Sequence, residues 1–186
     1  MIEPTRLVPL NLMKWIEDHK EKLKPPVGNA QIWRDADFIV TIVAGPNERT
    51  DYHDDPLEEF FYQLKGDMTL RIWHQGGPKD VPIRQGEVML LPPHVPHSPQ
   101  RPEAGSYGLV IERVRPQGMK DAFLWFCEKC AGVVHRREVY INDLTTDLPP
   151  VFKEYYDTPA LRVCRKCGHH NPGKPAARAA AAATAM

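Results

Sequence analysis

The spacing of apolar residues changes period about thirty residues into the chain. Before that point Leu12, Ile16 and Leu23, joined by Trp15, recur at helical spacing. Asn11 stands where a cap is needed, so the pattern predicts a helix running to about Leu23 and stopped by Pro25-Pro26. From Ile32 onward the apolar residues come in short runs. Phe38-Ile39-Val40-Thr41-Ile42-Val43 ends at Gly45-Pro46, and Glu59 to Leu64 runs into the turn Lys65-Gly66-Asp67. Met68, Leu70 and Ile72 then alternate with Thr69, Arg71 and Trp73, the period-two pattern of a half-buried strand. Gly76-Gly77 reads as a further turn, and Val88–Leu91 and Tyr107–Val114 as further strands. Short strands punctuated by Gly and Pro predict a mainly all-β sandwich or barrel behind one N-terminal helix.

The β pattern ends near Gln117-Gly118, so residues 1–118 read as the barrel with its helix. Residues 119–171 hold all four cysteines and offer little apolar material for a core of their own. They read as an extension whose stability a bound metal supplies. From Pro172 the chain runs through Gly173-Lys174-Pro175 into mostly alanine, and residues 172–186 read as a disordered tail. With 186 residues the chain can bury one good core. Its 24 basic and 24 acidic residues cancel, leaving no field to gather nucleic acid or an anionic membrane. The start, Met1-Ile2-Glu3-Pro4-Thr5-Arg6, lacks the apolar segment of a signal peptide, and no run approaches a membrane span. The expectation is a soluble, cytoplasmic protein.

His53 and Glu59, followed by His97, supply two imidazoles and a carboxylate to one β scaffold. That set forms one face of a non-haem Fe(II) site, with the opposite positions open to substrate and O2. The spacing resembles the two cupin motifs. His53, Asp55, Glu59 and Gly66 fit H-x-H-x3-E-x6-G, with Asp55 in the place of the second histidine. Gly86, Pro92, His94, His97 and Arg101 fit G-x5-P-x-G-x2-H-x3-N, with His94 and Arg101 as the departures. The likeness implies a double-stranded β-helix (jelly-roll) barrel holding metal through His53, Glu59 and His97. Glu58 and Glu59 point to opposite faces of a strand, and the spacing selects Glu59. Asp55 shares the His53 face in an extended segment and stands as the rival ligand. His94, between prolines and three residues before His97, reads as a structural or supporting group.

Cys127-x2-Cys130 and Cys164-x2-Cys167 form two thiolate knuckles, with Gly132 and Gly168 nearby to let the chain turn. Four sulfurs in a tetrahedron suit either iron or zinc. A staple for the extension is the favoured role. His135, His169 and His170 are near in sequence, but four cysteines already complete a tetrahedron.

Longer blocks narrow the resemblance. The segment from Arg49 to Leu64 and that from Leu91 to Pro102 closely resemble the 3-hydroxyanthranilate 3,4-dioxygenase family, as do Lys24–Asn29 and Leu109–Arg113. The likeness spans about residue 8 to 172, and the doubled C-x2-C looks like the rubredoxin-like site of its bacterial branch. It implies extradiol opening of 3-hydroxyanthranilate by both atoms of O2, giving 2-amino-3-carboxymuconate semialdehyde, in quinolinate and NAD synthesis or tryptophan catabolism. It also implies Fe(II) at the histidines and a homodimer. Arg49 and Arg101 each lie four residues from a ligand histidine and offer paired hydrogen bonds to a substrate carboxylate, each worth roughly 1.5–3 kcal/mol. Arg49 is also assigned to O2, and Glu59 and Glu112 to substrate contact. Glu112 shares a strand face with Val110 and Val114, where an acid must be paired or hydrogen-bonded. It is expected to bond the substrate amine or hydroxyl and accept its proton. The competing readings are a cupin dioxygenase for another aminophenol, and a metal-binding sensor fused to a zinc ribbon.

Overall fold

Alternating apolar residues fold the middle of the chain into two facing antiparallel sheets. The structure, a computed structural model, describes residues 7–24, 28–142 and 144–173. In chain order the strands are β1 (Asn29–Gln31), β2 (Phe38–Ala44), β3 (Tyr52–Asp54), β4 (Glu59–Lys65), β5 (Met68–His74) and β6 (Gly77–Ile83). They continue as β7 (Val88–Leu91), β8 (His97–Gln100), β9 (Tyr107–Arg113), β10 (Asp121–Phe126) and β11 (Val133–Val139). One sheet has the order β1-β2-β9-β4-β7 and the other β11-β10-β3-β8-β5-β6. Phe61, Leu91 and Val110 of the first pack against Met68, Leu70 and Ile83 of the second, which makes the barrel core. The all-β expectation therefore holds.

Burial on β4 and β9 alternates along each strand, so odd-numbered side chains of β4 face inward, while on β2 Ile42 and Ala44 of the outward row are buried too, and that row must be covered elsewhere. The N-terminal helix α1 (Leu12–Asp18) covers it, seating Ile16 and Leu23 against Ile42, Ala44 and Leu109. Asn11 caps α1 as expected, its side chain accepting from Lys14 N at 3.0 Å. The helix is shorter than the apolar stripe. His19 leaves helical geometry, and Lys20–Leu23 continue as a 3-10 turn that still delivers Leu23 to the core. Pro25 and Pro26 lie outside the described residues, as do residues 174–186 of the alanine tail.

Two parts of the reading needed correction. The turn expected at Gly76-Gly77 is Gln75-Gly76, both at positive φ, a two-residue hairpin loop that starts β6 at Gly77. β6 carries Pro78 and Pro82, which a strand tolerates only where one side is unpaired, and β6 is the edge of its sheet. The second correction is larger. Residues after 118 do have material for a core: β10 hydrogen-bonds to β3 within the second sheet, and Phe123 and Trp125 pack with Ile141, Val151 and Tyr155. The last two come from a second helix, α2 (Leu144–Asp157), which closes over the β10 face. Trp125 stacks on Tyr155 with ring centroids 4.1 Å apart. Among the described residues no helix is long and apolar enough to cross a membrane.

This packing predicts that Trp125→Ala costs about 3–5 kcal/mol of stability in urea unfolding of the metal-loaded protein. A segment held by its metal alone would show the parent midpoint.

Candidate active site

Strand register arranges the inner face of the first sheet in rows. Ile39, Glu112 and Glu59 are direct partners across β2, β9 and β4; so are Thr41, Val110 and Phe61, and then Val43, Gly108 and Gln63. The second sheet supplies the opposite wall, where His53 of β3 is paired directly with His97 of β8 and with Phe123 of β10. Glu59 reaches both histidines across the gap. His97 Nε2 lies 2.7 Å from Glu59 Oε2, and His53 Nδ1 lies 3.9 Å from the same oxygen. Glu58, on the other strand face, is exposed.

The hydrogen bonds on the far side of each ring fix what faces the gap. His97 Nδ1 is 2.9 Å from the Val95 carbonyl, which can only accept, so that nitrogen carries the proton. His53 Nε2 is 2.7 Å from the Asp121 carboxylate, which fixes its proton there in the same way. In neutral rings, His97 Nε2 and His53 Nδ1 then both turn lone pairs toward Glu59 Oε2. That oxygen is buried and has no hydrogen-bond donor. Three electron pairs converging in a dry space repel one another until a cation lies among them. The candidate ligand atoms of His53, Glu59 and His97 all lie within 4.8 Å of one another. The donor set fits a divalent ion with N and O preference.

Asp55 takes a different position. Its carboxylate accepts from Leu57 N and from Arg115 Nη2, both at 2.7 Å. Arg115, fully buried, is the centre of a charge cluster that sequence reasoning missed. Its Nη2 also meets Glu112 Oε2 at 2.8 Å and Asp121 Oδ2 at 2.6 Å. Asp121 therefore orients His53 while being held by Arg115. No motif marks either residue; the only trace is an acid placed directly before the apolar run Ala122–Phe126. Burial pushes the Glu112 carboxyl up to about 7, with the nearby Glu59 charge adding to it and Arg115 opposing. A buried acid titrating near neutrality suits proton transfer.

The two arginines expected to act as a pair differ. Arg49 is bound to the Asp51 carboxylate and lies over the Phe152 ring, 5.4 Å from its centroid. Burial opposes its charge, but Asp51 outweighs this and its pKa is raised. Arg101 is 1% exposed, and among the described residues no carboxylate pairs with it. Its Nε has no partner, and burial lowers its pKa to about 10. Both arginines line the cavity above the histidines with Glu112, Asn29 and Thr41. Leu144 and Leu148 of α2 close it from the C-terminal side, a contribution that sequence reasoning also missed.

The four cysteines meet as a separate cluster. Cys127 Sγ–Cys167 Sγ and Cys130 Sγ–Cys164 Sγ are each 3.6 Å apart. An ion about 2.3 Å from four tetrahedral sulfurs requires separations of about 3.8 Å, so the cluster is of the right size. The knuckles are built alike: Ala131 N donates to Cys127 O, and Gly168 N to Cys164 O. The positive-φ residue of the first knuckle is Ala131, not the expected Gly132.

Comparison with known proteins places this geometry. The family model described as 3-hydroxyanthranilic acid dioxygenase matches residues 5–156. A 3-hydroxyanthranilate 3,4-dioxygenase of Ruegeria pomeroyi is 58% identical over 169 residues, covering 91% of this chain and 94% of that protein. One from Shewanella woodyi is 55% identical over 170 residues, covering 91% and 90%. Among solved structures, a cupin-2 domain protein from Shewanella frigidimarina aligns with a TM-score of 0.45 at 16% identity, over 59% of this chain and 96% of that one.

Asp121→Asn tests the inner geometry. Loss of the charge that fixes the His53 ring should weaken metal retention by roughly ten- to a hundredfold, read by metal titration with circular dichroism as a check on folding. Unchanged affinity in a folded variant would remove Asp121 from the site.

Proposed function

Because the chain belongs to the 3-hydroxyanthranilic acid dioxygenase family, we infer that it opens the aromatic ring of 3-hydroxyanthranilate with O2 in the extradiol sense, yielding 2-amino-3-carboxymuconate semialdehyde. It is a metal-dependent cupin dioxygenase. The observation that carries the substrate assignment is Arg101, a buried guanidinium without a carboxylate partner beside an iron-type donor set. A charge so placed is costly until an anion arrives. A substrate bearing a carboxylate on an aminophenol ring supplies that anion and presents its hydroxyl and amine to the metal.

Our assignment of parts follows. His53, Glu59 and His97 would hold Fe(II), whose chemistry when bound would be to activate the aminophenol and O2 together. Arg101 takes the substrate carboxylate in paired hydrogen bonds. Arg49, fixed by Asp51, lines the wall nearest the O2 position and contributes a second positive charge. Glu112 accepts the proton that the substrate hydroxyl or amine loses, aided by its raised pKa. Leu144 and Leu148 keep water from the cavity. Asp55 belongs with Arg115, which favours Glu59 as the carboxylate ligand. The cysteine cluster takes iron or zinc and staples the C-terminal segment, since ring cleavage by O2 needs no net external electron. A cytoplasmic homodimer is the assembly we assign. The balanced charge of 24 basic and 24 acidic residues gives a sensor bound to nucleic acid no electrostatic support.

Three measurements bear on this. His53→Ala, Glu59→Ala and His97→Ala should each abolish O2 uptake with 3-hydroxyanthranilate after anaerobic Fe(II) loading while circular dichroism is unchanged. Retained iron and activity in Glu59→Ala, with both lost in Asp55→Ala, would reverse the carboxylate assignment. Arg101→Ala should lower kcat/KM by roughly ten- to a hundredfold for 3-hydroxyanthranilate, and much less for 2-aminophenol, which lacks the carboxylate. Finally, Cys127→Ser with Cys130→Ser should lower stability yet leave turnover per catalytic iron largely intact. Near-total loss of that normalised rate in a folded protein would give the sulfur site a part in catalysis.

A further inference from the structure

We propose that Gly108 is a positioning residue for substrate selection: its missing side chain is the space in which the Arg101 guanidinium lies. This rests on the reading of Arg101 as the carboxylate site.

Gly108 sits inside β9, paired with Val43 on one side and Gln63 on the other, in the inward-facing row next to Thr41, Val110 and Phe61. Glycine in a strand interior forfeits packing and adds conformational entropy to the unfolded chain, so it usually marks a close approach by another group. Its backbone has no positive φ that would require glycine. The constraint is instead lateral. A Cβ at this position would lie 2.6 Å from Arg101 Nη2, 2.9 Å from Gln63 Oε1 and 3.2 Å from Arg101 Nε. All three of these nearest atoms belong to side chains, so an added methyl strikes the guanidinium and the amide first.

Arg101 has little freedom to yield in place. It is 1% exposed, its own backbone is tied to Asn47 through N–H and C=O, and Gln63 beside it is fully buried. A methyl at 108 therefore turns the guanidinium off its axis. It leaves the row of Glu59 and Glu112, four residues along the strand and two inward-facing rows away, in place. Gly108 thus determines whether a carboxylate on the substrate is read, without touching substrate or metal.

The test compares Gly108→Ala with the parent and with Arg101→Ala, using 3-hydroxyanthranilate and 2-aminophenol. Iron content and thermal unfolding are measured alongside. The expected Gly108→Ala protein binds iron fully and stays folded, with a melting temperature lowered by the displaced Arg101 and Gln63 side chains. Its kcat/KM for 3-hydroxyanthranilate falls roughly ten- to a hundredfold, mainly through KM, while that for 2-aminophenol changes by less than about threefold. Arg101→Lys, whose unbranched head avoids the methyl, should cost much less in the Gly108→Ala background than in the parent. An unaltered rate with 3-hydroxyanthranilate, equal losses for both compounds, or additive losses with Arg101→Lys would overturn the proposal. So would a misfolded Gly108→Ala, because the methyl would then be striking the fold. If Arg101→Ala is itself unselective, the carboxylate reading of Arg101 falls. If Arg101→Ala is selective and Gly108→Ala is not, only the role of Gly108 falls.

Discussion

Two imidazole lone pairs and a carboxylate oxygen share one dry gap between the sheets, and most of the site is arranged to keep them there. Without a metal ion a proton is the cation among them: burial opposes charge on His53, but Asp121 and Glu59 outweigh it and raise its pKa to about 9. The fold holds them by attaching each to a different support. Glu59 is on a central strand of the first sheet. His97 is tied by the Val95 carbonyl of its own loop, and His53 by Asp121 of β10. All three side chains project from strands. A metal ion entering the site has to displace that proton, so metal binding and proton release are coupled.

The same logic explains the unequal arginines. Arg115 is saturated: it bridges Asp55, Glu112 and Asp121, and so ties the His53 side of the metal site to the acid facing the cavity. Arg49 is satisfied by Asp51. Arg101 alone among these three is buried without a carboxylate. Positive charge that holds structure is paired within the protein, and the unpaired guanidinium is the one that an anion entering the cavity would relieve. Counting arginines near a site would miss this distinction, since all three lie within it.

Much of the site could be read from the sequence because its ligands lie on regular strands at fixed spacing. His53, Glu59 and His97 follow from motif spacing; strand alternation lets only one of Glu58 and Glu59 face the site, and the spacing selects Glu59. The barrel strands with clean alternation, such as Met68–His74, were equally legible. What escaped were features set by distant pairing. β6 was obscured by Pro78 and Pro82, which become acceptable only once β6 is known to be an edge. α2 was obscured by Pro149-Pro150, which local rules read as interrupting a helix. Arg115 and Asp121 are ordinary charged residues until β10 pairs with β3. The role of Asp55 depended on Arg115, and so was open for the same reason.

β10 also changes how the C-terminal segment should be understood. Asp121 at its start orients a metal ligand, Phe123 stacks on the His53 ring at 5.0 Å, Trp125 anchors α2, and Cys127 follows directly as the first sulfur. One strand thus carries, at every second position, the partner of His53, its packing, the residue that seats α2 and the first cysteine of the cluster. Alternation makes this possible: residues 121, 123 and 125 project to the same side, toward the barrel interior and α2, while Ala122 and Leu124 pack with Tyr52 on the other. The cysteine cluster lies at the end of this strand, where holding the chain also holds the roof over the substrate cavity. The cluster is therefore joined through one strand to the cavity that His53 and Phe123 line.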